Sequence, residues 1–162
     1  MTVASCPRRA VSKRPRLRPH QIEARDQTRF KLREVQAALL VACTGFGKTI
    51  LAADVMYRTF ESGNSVLFLA HRDTLIKQTS RKLTECGLDH GIIMAGFTTT
   101  RKPVQVASVQ TLVRRLDKVQ FDFKLIIIDE AHLSAAASYR KILARWPHAK
   151  IIGLTGSPCR LD

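Results

Sequence analysis

The chain has 162 residues, of which 45% are hydrophobic, and this length and composition suit one globular domain with a single core. Its 27 lysines and arginines against 13 acids give a net charge of +14, which indicates an acidic polymer as partner. No apolar stretch approaches the roughly 18 residues of a membrane span, so we expect a soluble, cytoplasmic protein without a membrane partner. Its four cysteines form no C-x-x-C pair, which disfavours a disulfide framework or a metal cluster.

A basic segment opens the chain. Six of the first twenty residues are lysine or arginine and none is acidic, and prolines stand at positions 7, 15 and 19. This composition predicts that residues 1–16 are a disordered arm that binds phosphate backbones without reading sequence. A merely solvated tail and an organelle transit peptide are the alternatives.

Apolar runs along the remainder predict six strands, with helices between most of them. The helix after the first strand is expected to end near Gly63, and the next one to run from an N-cap at Asp73 to Gly87. A stripe at helical spacing that includes Trp146 predicts a buried helix face near the C-terminus. The alternation predicts a mainly parallel α/β sheet with helices on both faces and strands near residues 38–42, 66–70, 91–95, 104–107, 124–129 and 150–154.

A glycine-turned loop follows the first strand. Residues 42–49 read ACTGFGKT, a spacing with which backbone N–H groups can surround a triphosphate. Lys48 would neutralise the β and γ oxygens, and the Thr49 hydroxyl would bind Mg²⁺. A glycine-rich turn before an ordinary helix is the alternative. The remaining residues expected to bind the nucleotide are Thr44, Gly45, Phe46 and Gly47.

Two acids follow a second apolar run. Residues 124–128 are the continuous sequence KLIII, typical of a strand buried on both faces, and Asp129 and Glu130 come next. Ligands of open α/β sheets bind at the carboxyl ends of strands. We therefore assign Asp129 to Mg²⁺ and Glu130 to the water that attacks the γ-phosphate, with Lys48 as the third catalytic residue.

These motifs resemble those of superfamily 2 helicases of the DEAD/DEAH type. Residues 129–132 read DEAH, and the loop reads A-x-x-G-x-G-K-T, the form usual in that superfamily. Further segments match its motifs in the right order, namely LRPHQ at 17–21, VLFLAHRDTLIKQ at 66–78, ASVQTL at 107–112 and GLTGSPCRLD at 153–162. The resemblance covers nearly the whole chain from residue 17.

The resemblance implies a fold and several residue roles. Residues 17–162 would be the first RecA-like domain, a P-loop NTPase fold that uses ATP and Mg²⁺ to move along or unwind nucleic acid. The implied adenine readers are Arg18 and Gln21, and the implied nucleic-acid contacts are His71, Arg72, Gln110 and Thr111. Helix capping is the alternative role of Thr111. The polar loop that contains Arg101 is a further candidate contact, for which a solvated loop is the alternative. The residues that would couple ATP to nucleic acid are His132, Thr155 and Ser157.

Two departures from the family pattern bear on activity. Gly156 and Ser157 replace the usual alanine and threonine, and Gly156 is expected to loosen coupling through its backbone freedom. We expect the second RecA-like domain of the family to be absent and ATP therefore to be bound better than it is hydrolysed, unless such a domain acts in trans. The interpretation that we favour is an enzyme, an ATP-dependent helicase or nucleic-acid-stimulated ATPase that is incomplete without the second domain.

Aromatic residues make up only 6% of the chain, so contacts should reach phosphate and sugar with little base preference, and DNA is favoured over RNA. A non-catalytic module that binds ATP and nucleic acid is the alternative function. A P-loop kinase would leave the nucleic-acid motifs unexplained.

Overall fold

The computed structural model describes residues 14–131 and 136–156. In this part of the chain, helices lie between most of the strands, as the sequence predicts. The helices are α1 (Pro19–Glu34), α2 (Lys48–Glu61), α3 (Asp73–Glu85), α4 (Val109–Arg114) and α5 (Ala137–Arg145), with one 3₁₀ turn at Leu116–Lys118. The strands are β1 (Ala37–Val41), β2 (Val66–Ala70), β3 (Gly91–Ile93), β4 (Val104–Ser108), β5 (Leu125–Asp129) and β6 (Lys150–Thr155). Strands β3 and β4 follow one another without a helix.

The six strands form one sheet in the order β1-β6-β5-β2-β4-β3, and every neighbouring pair is parallel. The predicted parallel α/β architecture is confirmed. Strand β6 lies between β1 and β5, with Val41 paired to Thr155 and Asp129 paired to Leu154. The ends of β1 and β5 therefore flank the end of a single strand, at the carboxyl edge of the sheet.

Helices cover both faces of the sheet and create two clusters of buried side chains. One cluster packs α2 and α3 against the sheet, with α1 at its margin. The other packs α4 and α5 against the opposite face. Strands β2, β4 and β5 are buried at every residue, which explains why β2 and β5 read as apolar runs, while β4 also buries the polar side chains of Gln105 and Ser108.

Two details of the predicted helices differ from the structure. Asp73 was expected at the N-cap, but Arg72 holds that position and Asp73 is the first helical residue. Its carboxylate still lies in the first turn, where its negative charge interacts favourably with the helix dipole. Helix α5 ends at Arg145, so Trp146 is its C-cap residue instead of a helical one. Trp146 is nevertheless buried, as predicted, and its Nε1 donates to the Phe121 carbonyl oxygen at 2.9 Å.

Helix α1 was not among the predicted elements. It has one buried residue, Gln21, so it lacks the apolar stripe that reveals most surface helices. A buried carboxylate holds it to α2: Asp54 accepts from Arg25 Nη1 at 3.2 Å and from Arg58 Nε at 2.9 Å. Asp54 is only 1% exposed, so the two arginines supply the partners that a buried charge requires.

Candidate nucleotide-binding site

The glycine-turned loop links β1 to α2. Gly45 and Gly47 have φ of 86° and 87°, in the left-handed region that glycine adopts without strain. Gly47 is the N-cap residue of α2, and its carbonyl oxygen accepts from the N–H groups of Ile50 and Leu51. The loop therefore delivers backbone N–H groups to a helix N-terminus, which favours an anion.

Gln21 packs directly against this loop. Its side-chain amide donates to the Phe46 carbonyl oxygen at 2.6 Å, and its Oε1 accepts from the Arg18 N–H at 2.8 Å. A Cβ atom on Gly47 would clash with Nε2 of Gln21. The His20 ring also meets the Phe46 ring edge-on, with 5.0 Å between centroids. The loop and the LRPHQ segment are thus one packed unit, a contact that sequence spacing alone does not reveal.

Lys48 is the first residue of α2, and its side chain turns back into the loop. Its Nζ donates to the Ala42 carbonyl oxygen at 3.0 Å and lies 3.5 Å from that of Cys43. A Cβ on Gly156 would lie 3.6 Å from Nζ, an ordinary contact, so the alanine usual in the family would fit there. The ammonium group lies against neutral acceptors, where a phosphate anion would be a stronger partner.

Asp129 ends β5 and is 7% exposed. Burial raises the pKa of its carboxyl group above the usual value, and the Glu130 carboxylate acts in the same direction. The Glu130 N–H, which donates to Oδ1 at 3.0 Å, and the Lys48 ammonium lower this pKa. Burial disfavours the charged form of this carboxylate, so a nearby cation would stabilise it. The carboxylate oxygens and the Thr49 hydroxyl are ligands of the kind that Mg²⁺ prefers. These residues therefore fit a magnesium ion.

The backbone turns sharply after Asp129. Glu130 has φ of 54°, and it is the one non-glycine residue of the described ranges in the left-handed region. Such a conformation is strained for a glutamate, and strain of this kind concentrates at functional sites.

Strand β6 ends between the loop and the acids. The Thr155 carbonyl oxygen accepts from the Ala42 N–H at 2.9 Å, and Thr155 is 1% exposed. Thr155 thus lies beside the start of the loop. The other two predicted coupling residues, His132 and Ser157, lie outside the described residues, as does the basic segment up to residue 13.

The predicted nucleic-acid contacts separate into two groups. Gln110 Nε2 lies 3.1 Å from His71 Nε2, and Gln110 Oε1 accepts from the Ser108 hydroxyl at 2.8 Å. Arg72 is exposed next to His71, and Thr111 follows Gln110 at the first turn of α4. These four residues lie at the carboxyl ends of the neighbouring strands β2 and β4, so the structure brings them together.

Arg101 lies elsewhere. It precedes β4, and its neighbour Lys102 pairs with Asp89, which precedes β3. Both positions are at the amino edge of the sheet. The structure therefore does not bring Arg101 near the other candidate contacts.

Tyr139 is a residue near the acids that sequence reasoning assigned only to the core. It is 1% exposed on α5, and its hydroxyl has no hydrogen-bond partner among residues 14–131 and 136–156. Burial raises its pKa to about 12, with further contributions from the charges of Asp129 and Glu130. No pattern in the sequence distinguishes it from an ordinary core tyrosine.

None of the helices in the described ranges combines the length and the apolar character that a membrane span requires. The described residues also contain no cluster of three or more histidine, cysteine, aspartate or glutamate side chains that would hold a metal ion by themselves. A metal at the acids would therefore share its coordination with the Thr49 hydroxyl, phosphate oxygens or water.

Comparison with known proteins identifies relatives of this chain. The putative ATP-dependent helicase IRC3 of Saccharomyces cerevisiae is 37% identical over 142 residues, which cover 80% of this chain and 21% of that protein. The type I restriction enzyme EcoAI endonuclease subunit of Escherichia coli is 32% identical over 133 residues, 74% of this chain and 16% of that protein. This chain therefore spans less than a quarter of either relative.

A solved structure and a family model also match this chain. The helicase domain of Hef from Pyrococcus furiosus has a TM-score of 0.70 and 28% identity, covering 90% of this chain and 35% of that one. The family described as the type III restriction enzyme res subunit matches residues 14–160. The resemblance inferred from the motifs is confirmed: the chain belongs to this family and carries the first RecA-like, ATP-binding domain of the superfamily 2 helicases.

Proposed function

We propose that this domain binds MgATP at the carboxyl edge of its sheet and that, in the whole protein, hydrolysis there drives movement along nucleic acid. The convergence of Lys48 and Asp129 carries the proposal. Strand β1, which leads into the loop before Lys48, and strand β5, which ends at Asp129, flank β6, and the Lys48 charge is close enough to lower the Asp129 pKa. Phosphoryl transfer requires a cation for the phosphates and an acid for the metal at one place.

Each residue at this edge has a distinct role. The loop N–H groups and Lys48 would hold the β and γ phosphates, while Thr49 and Asp129 would hold Mg²⁺. The ion, when bound, neutralises charge on the phosphate oxygens. Glu130 would orient the attacking water and accept its proton. Gln21, fixed against the loop by Phe46 and Arg18, would read the adenine edge.

Nucleic acid would run along the same edge. The exposed Arg72 can bind a phosphate through two parallel hydrogen bonds, and Gln110 and Thr111 would add contacts at the start of α4. The names of the relatives support this partner, since IRC3 is called a helicase and EcoAI a restriction endonuclease subunit. Restriction endonucleases cut DNA, which favours DNA over RNA.

The free, exposed thiol of Cys43 supports a reducing compartment such as the cytoplasm.

Calorimetry with MgATP tests the nucleotide site. Lys48→Ala should abolish measurable binding, because the phosphates lose their ammonium partner, whereas Glu130→Gln should retain binding and lose turnover. Lys77→Ala on the exposed surface of α3 is the matched control and should bind normally. Equal affinity of Lys48→Ala and the parent chain would refute the assigned loop.

Binding to single-stranded DNA, duplex DNA and RNA at several salt concentrations tests the partner. Arg72→Ala should weaken binding uniformly across sequences and reduce the salt slope by about one. Arg101→Ala is the control, since this side chain lies at the opposite edge of the sheet. A larger loss with Arg101→Ala than with Arg72→Ala would show that nucleic acid binds a different face.

A further inference from the structure

A cleft separates α1 from α2 on the sheet face opposite α4 and α5. It encloses about 510 Å³, and we call it the α1–α2 cleft. Its lining residues on α1 are Arg25, Thr28, Arg29 and Leu32, at the spacing of one helix face. Its floor is apolar and includes Leu40, Leu51, Val55, Ile127, Ile152 and Leu154.

The cleft is distinct from the proposed nucleotide site. Leu125 and Lys150 line it, and these are the first residues of β5 and β6. Asp129 and Thr155 are the last residues of the same strands. In a parallel sheet the two ends of the strands lie at opposite edges, so the cleft reaches the edge remote from the phosphate loop. Its floor extends toward the loop as far as Leu40 and Leu154, but no residue of the loop and neither acid lines it.

Its rim is cationic. The basic residues that line it are Arg25, Arg29, Arg58, Lys124, His148 and Lys150, and no lining residue among the described ranges is acidic. Arg25 and Arg58 are engaged by the buried Asp54, Lys124 pairs with Asp122, and Lys150 Nζ donates to the Val35 carbonyl oxygen. Arg29, in contrast, makes no hydrogen bond or salt bridge to any described residue, and it is exposed at the mouth of the cleft.

We propose that the α1–α2 cleft binds an amphiphilic anion, that is, an apolar body with one carboxylate, sulfonate or phosphate group. The apolar floor would hold the body, and Arg29 with its basic neighbours would hold the acidic group. The volume lies in the range of about 300 to 1,000 Å³ that is usual for small-ligand sites. A polyanion such as nucleic acid would leave the apolar floor unused.

Decanoate is a suitable probe, titrated calorimetrically into the full chain below the concentration at which it forms micelles. We expect saturable binding of one decanoate per chain. Decanol should bind at least about tenfold more weakly, because it lacks the charge that the rim recognises. Decyltrimethylammonium should not bind measurably. Absence of saturable decanoate binding, or equal affinity for decanol, would overturn the proposal.

Variants locate the site. Arg29→Glu should weaken decanoate binding about tenfold or more, whereas Arg33→Glu, which makes the same change of charge on α1 outside the cleft, should not. Val55→Phe should fill the cleft from α2, and Thr28→Phe should do so from α1, so one filled variant suffices if the other fails to fold. Equal effects of Arg29→Glu and Arg33→Glu, or unchanged binding in a folded filled variant, would contradict the assigned site.

Discussion

Gln21 joins helix α1 to the phosphate loop by donating its side-chain amide to the carbonyl oxygen of Phe46 at 2.6 Å. Replacing it by alanine removes this bond and leaves a polar loop atom without its partner. We expect Gln21→Ala to lower MgATP affinity roughly threefold to tenfold, the effect of one lost hydrogen bond. Calorimetry measures it. Gln27→Ala, on the same helix but hydrogen-bonded only to Glu23, is the control. A normal affinity for ATP in Gln21→Ala would show that this residue only stabilises the fold.

Two glycines with the same backbone conformation allow a matched comparison. Gly45 and Gly47 have φ of 86° and 87°, so alanine is strained by about 1–2 kcal/mol at either position. A Cβ at Gly45 meets no atom within 4 Å, whereas one at Gly47 clashes with Gln21. Gly47→Ala should therefore lower the free energy of unfolding by more than Gly45→Ala does, as measured by urea denaturation. Equal losses would mean that Gln21 moves aside without cost.

The pKa of Asp129 predicts how the stability of the domain depends on pH. Because burial raises this pKa above its usual value of 3.8, the folded state binds a proton more tightly than the unfolded state does. The contribution of Asp129 to stability is therefore lost as pH rises through the raised pKa, and the ionised group is destabilising at neutral pH. Asp129→Asn should raise the thermal midpoint at pH 7 in metal-free buffer.

The same comparison at low pH is its internal control. Below the usual pKa, both states of the parent chain are protonated at this position, so the advantage of Asp129→Asn should shrink. An advantage that stays constant from pH 7 to acidic pH would show that charge is not its cause.

Tyr139 contains a buried hydroxyl without a hydrogen-bond partner among the described residues. Removing it should relieve the cost of an unsatisfied polar group, so Tyr139→Phe should raise the free energy of unfolding by about 1 kcal/mol. Tyr57→Phe is the control, because phenylalanine keeps the aromatic ring over which the guanidinium of Arg14 lies, 5.7 Å from the ring centroid. A loss of ATP turnover in Tyr139→Phe without a gain in stability would instead place the hydroxyl among the groups that serve Asp129 and Glu130.

The sheet was predictable from the sequence because its central strands are buried on both faces. Strands β2 and β5 have long apolar side chains at nearly every position, so composition alone identifies them, whereas β4 is equally buried but includes Gln105 and Ser108. The loop and the acids were predictable for a related reason. Chemistry at the carboxyl ends of strands requires particular residues in particular order, and a parallel sheet brings those ends to one edge.

Contacts between distant segments were not predictable. Nothing in the spacing shows that Gln21 reaches Phe46, that Asp54 is shared by Arg25 and Arg58, or that Arg101 lies at the opposite edge from Arg72. Helix α1 was missed because its one fully buried residue, Gln21, is polar and its apolar contacts with the core, Ala24 and Leu32, are only partly buried. A Pro19 at its first turn is the one local signal for it, since proline is well suited to that position.

Helices α1 and α2 approach both ligand sites described above. Gln21 and Lys48 lie in their first turns beside the phosphate loop, and later turns of both helices line the α1–α2 cleft. An occupant that changes the spacing of the helices therefore changes the geometry of the loop as well. Thermodynamic linkage then requires reciprocity: by whatever factor the occupant alters nucleotide affinity, nucleotide alters the affinity for the occupant.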